Sequence, residues 1–93
     1  MDKLTVAERT LAVKSLKGWA FQDNGISKKF VFADFVEAFS FVTKVALFSE
    51  KMDHHPEWSN VYNKVQIRLT THDAGGVTLK DIELAEKIEG IKK

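Results

Sequence analysis

The 93-residue chain carries 44% hydrophobic and 29% charged residues at a formal net charge of +1, a balance that fits one globular domain spanning 1–93 and excludes a disordered or low-complexity chain. Its lysines are scattered among acids and the basic pair Lys92-Lys93 is short, so no direct nucleic-acid contact is expected, and no apolar run nears the roughly 20 residues that span a bilayer. With no cysteine there is no disulfide, thiolate or cysteine-metal chemistry, and with no apolar signal after Met1-Asp2-Lys3-Leu4 the cytoplasm is the default location.

In chain order, Thr5 with Glu8 makes a capping-box pattern that opens a helix over 5–16, closing near Gly18. Trp19-Ala20-Phe21 reads as a short strand, Asp23-Asn24-Gly25 as a turn, and Lys29-Phe30-Val31-Phe32 as the strand that follows. Asp34 with Glu37 opens a second helix over 34–51. Trp58 to Tyr62 forms another short strand, joined by a tight turn near Asn63 to Val65-Gln66-Ile67-Arg68-Leu69, which has a clear period of two. Gly75-Gly76 marks a turn, and Thr78 with Asp81 opens a last helix over 78–90, stopping near Gly90. The order α-β-β-α-β-β-α predicts an α+β fold: a four-stranded antiparallel sheet with three helices packed on one face.

The middle helix carries two apolar stripes. Phe35, Ala38, Phe39, Val42 and Ala46 form one, expected to cover the sheet; Phe41, Val45, Phe48 and Met52 form a second, about 100° around the helix. One sheet cannot bury both. The second stripe is covered either by another helix of the same chain or by a second copy, giving a homodimer or homotetramer through helix 34–51. A chain this short buries only about two thirds of its unfolded surface, so association would help it.

All three histidines lie in a short region: His54 and His55 follow the middle helix, and His72 follows the best strand. Singly, each reads as a surface residue or a turn hydrogen bond. Together they supply acid and base at neutral pH. Pro56 biases His55 towards extended backbone and sends the two adjacent side chains apart, one inward and one to a rim. If the strand persists to His72, that ring faces away from the core side. Trp58 offers a flat wall or simply fills the core, Asp53 and Asp73 orient imidazoles or end local structure, and Thr70 and Thr71 offer hydroxyls. Asp81 is explained by its cap, with any site role a second use. A metal centre is disfavoured, because adjacent His54-His55 do not present two nitrogens to one ion as an i, i+4 pair does, and no H-E-x-x-H occurs. No phosphate-binding glycine motif occurs either.

The string Glu50-Lys51-Met52-Asp53-His54-His55-Pro56-Glu57-Trp58-Ser59-Asn60-Val61-Tyr62 resembles the signature of the pterin-4a-carbinolamine dehydratases, and Thr70-Thr71-His72-Asp73 resembles that family's second segment. The resemblance implies a hydro-lyase that expels water from a 4a-hydroxytetrahydropterin, the product of aromatic amino acid hydroxylases, without metal or organic cofactor. It implies catalytic roles for His54, His55 and His72, with His54 and His72 moving protons and His55 placing the substrate. It implies pterin contacts from Asp53, Pro56, Trp58, Thr70, Thr71 and Asp73, with Glu50 or Asp73 orienting the histidines and Asp81 supporting them. Asp73 stands where some members carry Glu. Members also form dimers or tetramers, and some animal members stabilise a dimeric homeodomain transcription factor. A non-catalytic dimerisation module or coactivator, also nuclear, is therefore the alternative function.

Overall fold

A polar residue opens each of the first two helices, as its side-chain chemistry requires. In the computed structural model, which describes residues 1–92 and so leaves Lys93 of the terminal basic pair outside, helix α1 (Val6–Ser15) begins with Thr5 Oγ1 accepting from Glu8 N–H. Glu8 reaches back to Thr5 N–H at 2.9 Å, which completes the box. Hydrogen bonding to Thr5, first its backbone N–H and then its side chain, holds the Glu8 carboxyl below the usual range. Helix α2 (Phe35–Met52) opens on Asp34, which accepts from Glu37 N–H, while Glu37 Oε1 returns to Ala33 N–H, one residue further back than the simple box. Helix α3 (Leu79–Lys92) runs on through Gly90, where a stop was expected. The last turn is kept by Ile88 and the half-buried Ile91, which pack on the core.

Four strands, β1 (Ala20–Gln22), β2 (Gly25–Val31), β3 (Glu57–Val61) and β4 (Lys64–Leu69), form one antiparallel sheet in the order β1-β2-β4-β3. The first hairpin turns through Asp23 and Asn24, both left-handed at φ 51° and 61°, the geometry of the tight turn that suits the strand twist. Tyr62-Asn63 turns the second, with Val61 opposite Lys64. β2 starts earlier than expected, at Gly25, and Phe32 falls just beyond it.

The period-two reading of β4 holds: Val65, Ile67 and Leu69 are fully buried beneath the helices. Each such side chain contributes about 1.5–3 kcal/mol relative to exposure. The two stripes of α2 divide differently: the second faces the sheet, joined by Ala38 and the half-buried Val42 of the first. Phe41 and Val45 face the sheet with Ala38 and Ser49, and Phe48 and Met52 pack half-buried beside them, whereas Phe35 and Phe39 stay 48% and 52% exposed and Ala46 is exposed too. Phe41 fits between Phe30 and Phe32, 4.9 Å from each ring, a cluster that the other face cannot reach. Ser49 lies on the buried face because its hydroxyl donates to Val45 O at 2.8 Å. α1 buries no residue fully and is held by Leu4, Ala12 and Val13, and by Arg9 stacked 3.6 Å over Phe21. α3 is fastened by Glu89, which accepts from Trp19 Nε1 at 3.0 Å and from Lys28 Nζ at 2.9 Å.

Candidate active site

The end of α2 decides where the histidine pair points. Asp53 takes the left-handed conformation at φ 51°, its N–H donating to Glu50 O at 3.2 Å and that of His54 to Ser49 O at 3.0 Å. This is the Schellman closure, usually a glycine's place, with Asp among the residues that tolerate it. The chain reverses there, and Pro56 carries it into β3. His54 therefore turns inward, 9% exposed, and His55 outward.

Inside, His54 meets Asp81, which is 0% exposed in the first turn of α3. Asp81 Oδ1 lies 2.5 Å from His54 Nε2, while Oδ2 accepts from Thr71 Oγ1 at 2.8 Å and from Thr78 N–H at 2.9 Å. An ionised carboxylate only accepts, so the Nε2–H tautomer of His54 suits this contact, and no described hydrogen bond reaches Nδ1. Asp81 thus returns to the Thr78 backbone as its box position predicts and also backs a histidine. The Thr78 hydroxyl lies 2.8 Å from that of Thr71.

β4 stops at Leu69, so His72 is not on a strand. It opens a single 3-10 turn, His72–Ala74, pinned at its base by the Thr71–Gly76 bridge. Gly75, at φ 75°, closes that turn with its N–H on His72 O, in the place read as a Gly75-Gly76 turn. The ring is exposed, and Glu57 Oε2 stands 3.2 Å from its Nε2. His55 likewise has Glu50 Oε1 3.0 Å from Nε2.

Asp53, His54, His55, Thr70, Thr71, His72, Asp73 and Lys80 line one open cavity of about 400 Å³, a volume in the range of small-molecule sites. Six of the expected residues other than the histidines are placed differently from one another. Asp53, Thr70, Thr71 and Asp73 line the cavity, whereas Pro56 and Trp58 do not. Trp58 sits opposite Ile67 on the edge strand, 39% exposed, at the sheet's margin. Glu50 stands behind His55 and Asp81 behind His54, and no described hydrogen bond ties Asp73 to a histidine. Lys80 and Glu57 were not foreseen; Lys80 adds a cation to the lining, and Glu57's only signal was its place beside Pro56. A groove of about 350 Å³ between α2 and α3, lined by Lys44, Leu47, Phe48, Lys51 and Ile91, holds no acid–base pair. Among the described residues no three His, Asp or Glu side chains gather as metal ligands would, and every buried side-chain nitrogen and oxygen has a hydrogen-bond partner.

In this α+β domain the three histidines line one cavity, and a carboxylate stands against each ring. Residues 2–91 match the family model described as pterin 4 alpha carbinolamine dehydratase. A Bradyrhizobium sp. (strain BTAi1) protein, named "putative pterin-4-alpha-carbinolamine dehydratase", is 54% identical over 98% of this chain and 94% of its own length. One of the same name from Prochlorococcus marinus (strain NATL2A) is 59% identical over 76% of this chain and 75% of its own. A crystal structure from Brucella melitensis, described as a transcriptional coactivator/pterin dehydratase, superposes with a TM-score of 0.96 at 44% identity, covering 99% of this chain and 100% of that one. The chain belongs to the pterin 4 alpha carbinolamine dehydratase family, whose name is that of a hydro-lyase.

Proposed function

We propose that this chain dehydrates a 4a-hydroxytetrahydropterin to the quinonoid dihydropterin plus water by histidine general acid–base catalysis, recycling pterin for aromatic amino acid hydroxylases. The observation that carries this reading is the convergence of His54, His55 and His72 on one cavity in a chain of that family. One proton goes to the leaving 4a-hydroxyl as the C4a–O bond breaks. The N5 lone pair forms the C4a–N5 double bond, and the N5–H proton passes to a base. Nothing is oxidised or reduced, so the reaction calls for no redox cofactor.

His54 and His72 make the proton transfers, and His55 places the substrate at the rim. Asp53, Thr70, Thr71 and Asp73 offer hydrogen bonds to the polar edge of the heterocycle. Asp81 orients His54, and Glu50 orients His55. The decay of a 4a-hydroxypterin, followed by absorbance, tests the reading: it should be faster with the protein than without it. Equal decay would remove the enzyme reading.

The exposed side of α2, with Phe35, Val36, Phe39 and Leu47, supports a homodimer or homotetramer packed through that helix. Light scattering of Phe39→Glu should show a smaller particle than the wild type, and a wild-type monomer would sink the assembly. The same face, with the description of the Brucella protein, supports a second reading as a coactivator that binds a transcription factor. No helix among the described residues is long and apolar enough to cross a membrane. The bacterial origin of the relatives favours the cytoplasm and lends nothing to a nuclear location.

A further inference from the structure

All three histidines meet a carboxylate through the same ring nitrogen. Nε2 of His54 lies against Asp81, that of His55 against Glu50 and that of His72 against Glu57. For His54 and His55 the contact is an aligned hydrogen bond. For His72 it is a 3.2 Å ion-pair contact on an exposed ring, 80% of whose side-chain surface is open. An exposed ring has few other restraints, so its partner's own fixity matters.

Glu57 has a cation behind it. It stands directly opposite Arg68 across the β3–β4 ladder, and its Oε1 is 3.5 Å from Arg68 Nε. Arg68 in turn donates from its two terminal nitrogens to Gln22 O at 2.9 Å and Asp23 O at 2.5 Å, the carbonyls of the first hairpin turn. Gly25 leaves room for this, because a side chain there would collide with the guanidinium. Thr70 Oγ1 also donates to Asn24 O at 2.7 Å, tying the same turn to the cavity wall. The hairpin turn thus holds Arg68, Arg68 holds Glu57, and Glu57 faces His72.

We propose that Glu57 is a positioning residue for His72: its carboxylate takes the Nε2 proton and leaves Nδ1 as the nitrogen that exchanges a proton with substrate. This deepens the dehydratase reading and rests on it. The three imidazoles then share one arrangement, Nε2–H on a carboxylate and Nδ1 unpaired. A half-exposed carboxylate between Arg68 and a neutral ring adds little to stability, because solvent screens it. Its effect falls on ring orientation and tautomer.

The test combines histidine 15N spectroscopy with kinetics on a 4a-hydroxytetrahydropterin, using wild type, Glu57→Ala, Glu57→Gln and His72→Ala. In the wild type, neutral His72 should be the Nε2–H tautomer. Glu57→Ala should mix the tautomers and lower kcat about tenfold with KM nearly unchanged, a part of the roughly hundredfold or more that a positioned acid or base contributes. Glu57→Gln keeps an acceptor oxygen and should restore most of the tautomer and rate. A His72 ring protonated on Nδ1 in the wild type would overturn the proposal, as would Glu57→Ala with wild-type kcat or an unmoved tautomer. Should the wild type fail to accelerate the reaction, the dehydratase reading falls, and the tautomer spectra still decide whether Glu57 sets the ring.

Discussion

The buried wall of the cavity and its exposed rim solve one problem in opposite surroundings. On the wall, the nearly buried His54 meets Asp81 in the first turn of α3, and Asp81 takes three donors at 2.5–2.9 Å. At the rim, His55 and His72 stand in solvent beside Glu50 and Glu57. Low dielectric makes the buried pair strong and its rupture costly, whereas water makes each rim pair weak and its loss cheap for the fold. Stability and catalysis should therefore be entangled at Asp81 and separable at the rim.

The comparison breaks first at Asp81. Asp81→Ala strands the His54 ring, the Thr71 hydroxyl and the Thr78 N–H, and should destabilise the fold by about 3 kcal/mol in denaturant titration. A loss under about 1 kcal/mol, the value of an ordinary hydrogen bond, would show that water replaces the carboxylate easily.

His72→Ala should lower turnover by about a hundredfold or more. Its stability should stay within about 0.5 kcal/mol of the wild type, as for exposed substitutions generally. Comparable losses of stability in His72→Ala and Asp81→Ala would erase the distinction between rim and wall.

Smaller again, Glu50→Ala should raise KM about two- to fivefold with kcat nearly unchanged, the size of effect an exposed ion pair can supply. A fall in kcat instead would move His55 from placing substrate to transferring protons.

The smallest effect lies away from the site and calibrates the others. Hydrogen bonding to Thr5 depresses the Glu8 carboxyl, so its stabilising effect is present above the unfolded carboxyl pKa and is lost as pH falls through the lower folded value. The melting-temperature difference between wild type and Glu8→Gln should shrink as the solution is acidified through that window. A difference that is constant with pH would mean the box stabilises through shape alone.

These contrasts were partly legible in the sequence. Thr5-x-x-Glu8 and the alternation of Val65, Ile67 and Leu69 each report local chemistry, so the elements they mark lie where expected. The histidine cluster was legible for the same reason, since a helix end and the short turn after β4 bring three rings to one place. α2 was harder. Its helical period creates two apolar stripes, and which one meets the sheet depends on the aromatic contacts of Phe41 with Phe30 and Phe32. A serine on the buried face, self-satisfied through Val45 O, blurs the pattern further.

The carboxylate partners were least legible where they are most distant. Glu50 lies five residues from His55 and was within reach of inspection. Asp81 is 27 residues from His54, and its pattern already had a sufficient explanation as a cap. Glu57 meets His72 only because β3 pairs with β4 in the register that sets it opposite Arg68. Trp58 shows the converse: its resemblance to the family signature suggested a wall, but the same register places it at the sheet margin, away from the cavity lining.

Single-turnover decay of a 4a-hydroxytetrahydropterin, compared among wild type, His54→Ala and His72→Ala, tests the central claim most directly. The account predicts rapid loss with the wild type and a rate lower by about a hundredfold or more in each variant, with both variants folded. Wild-type rates in either folded variant would contradict it.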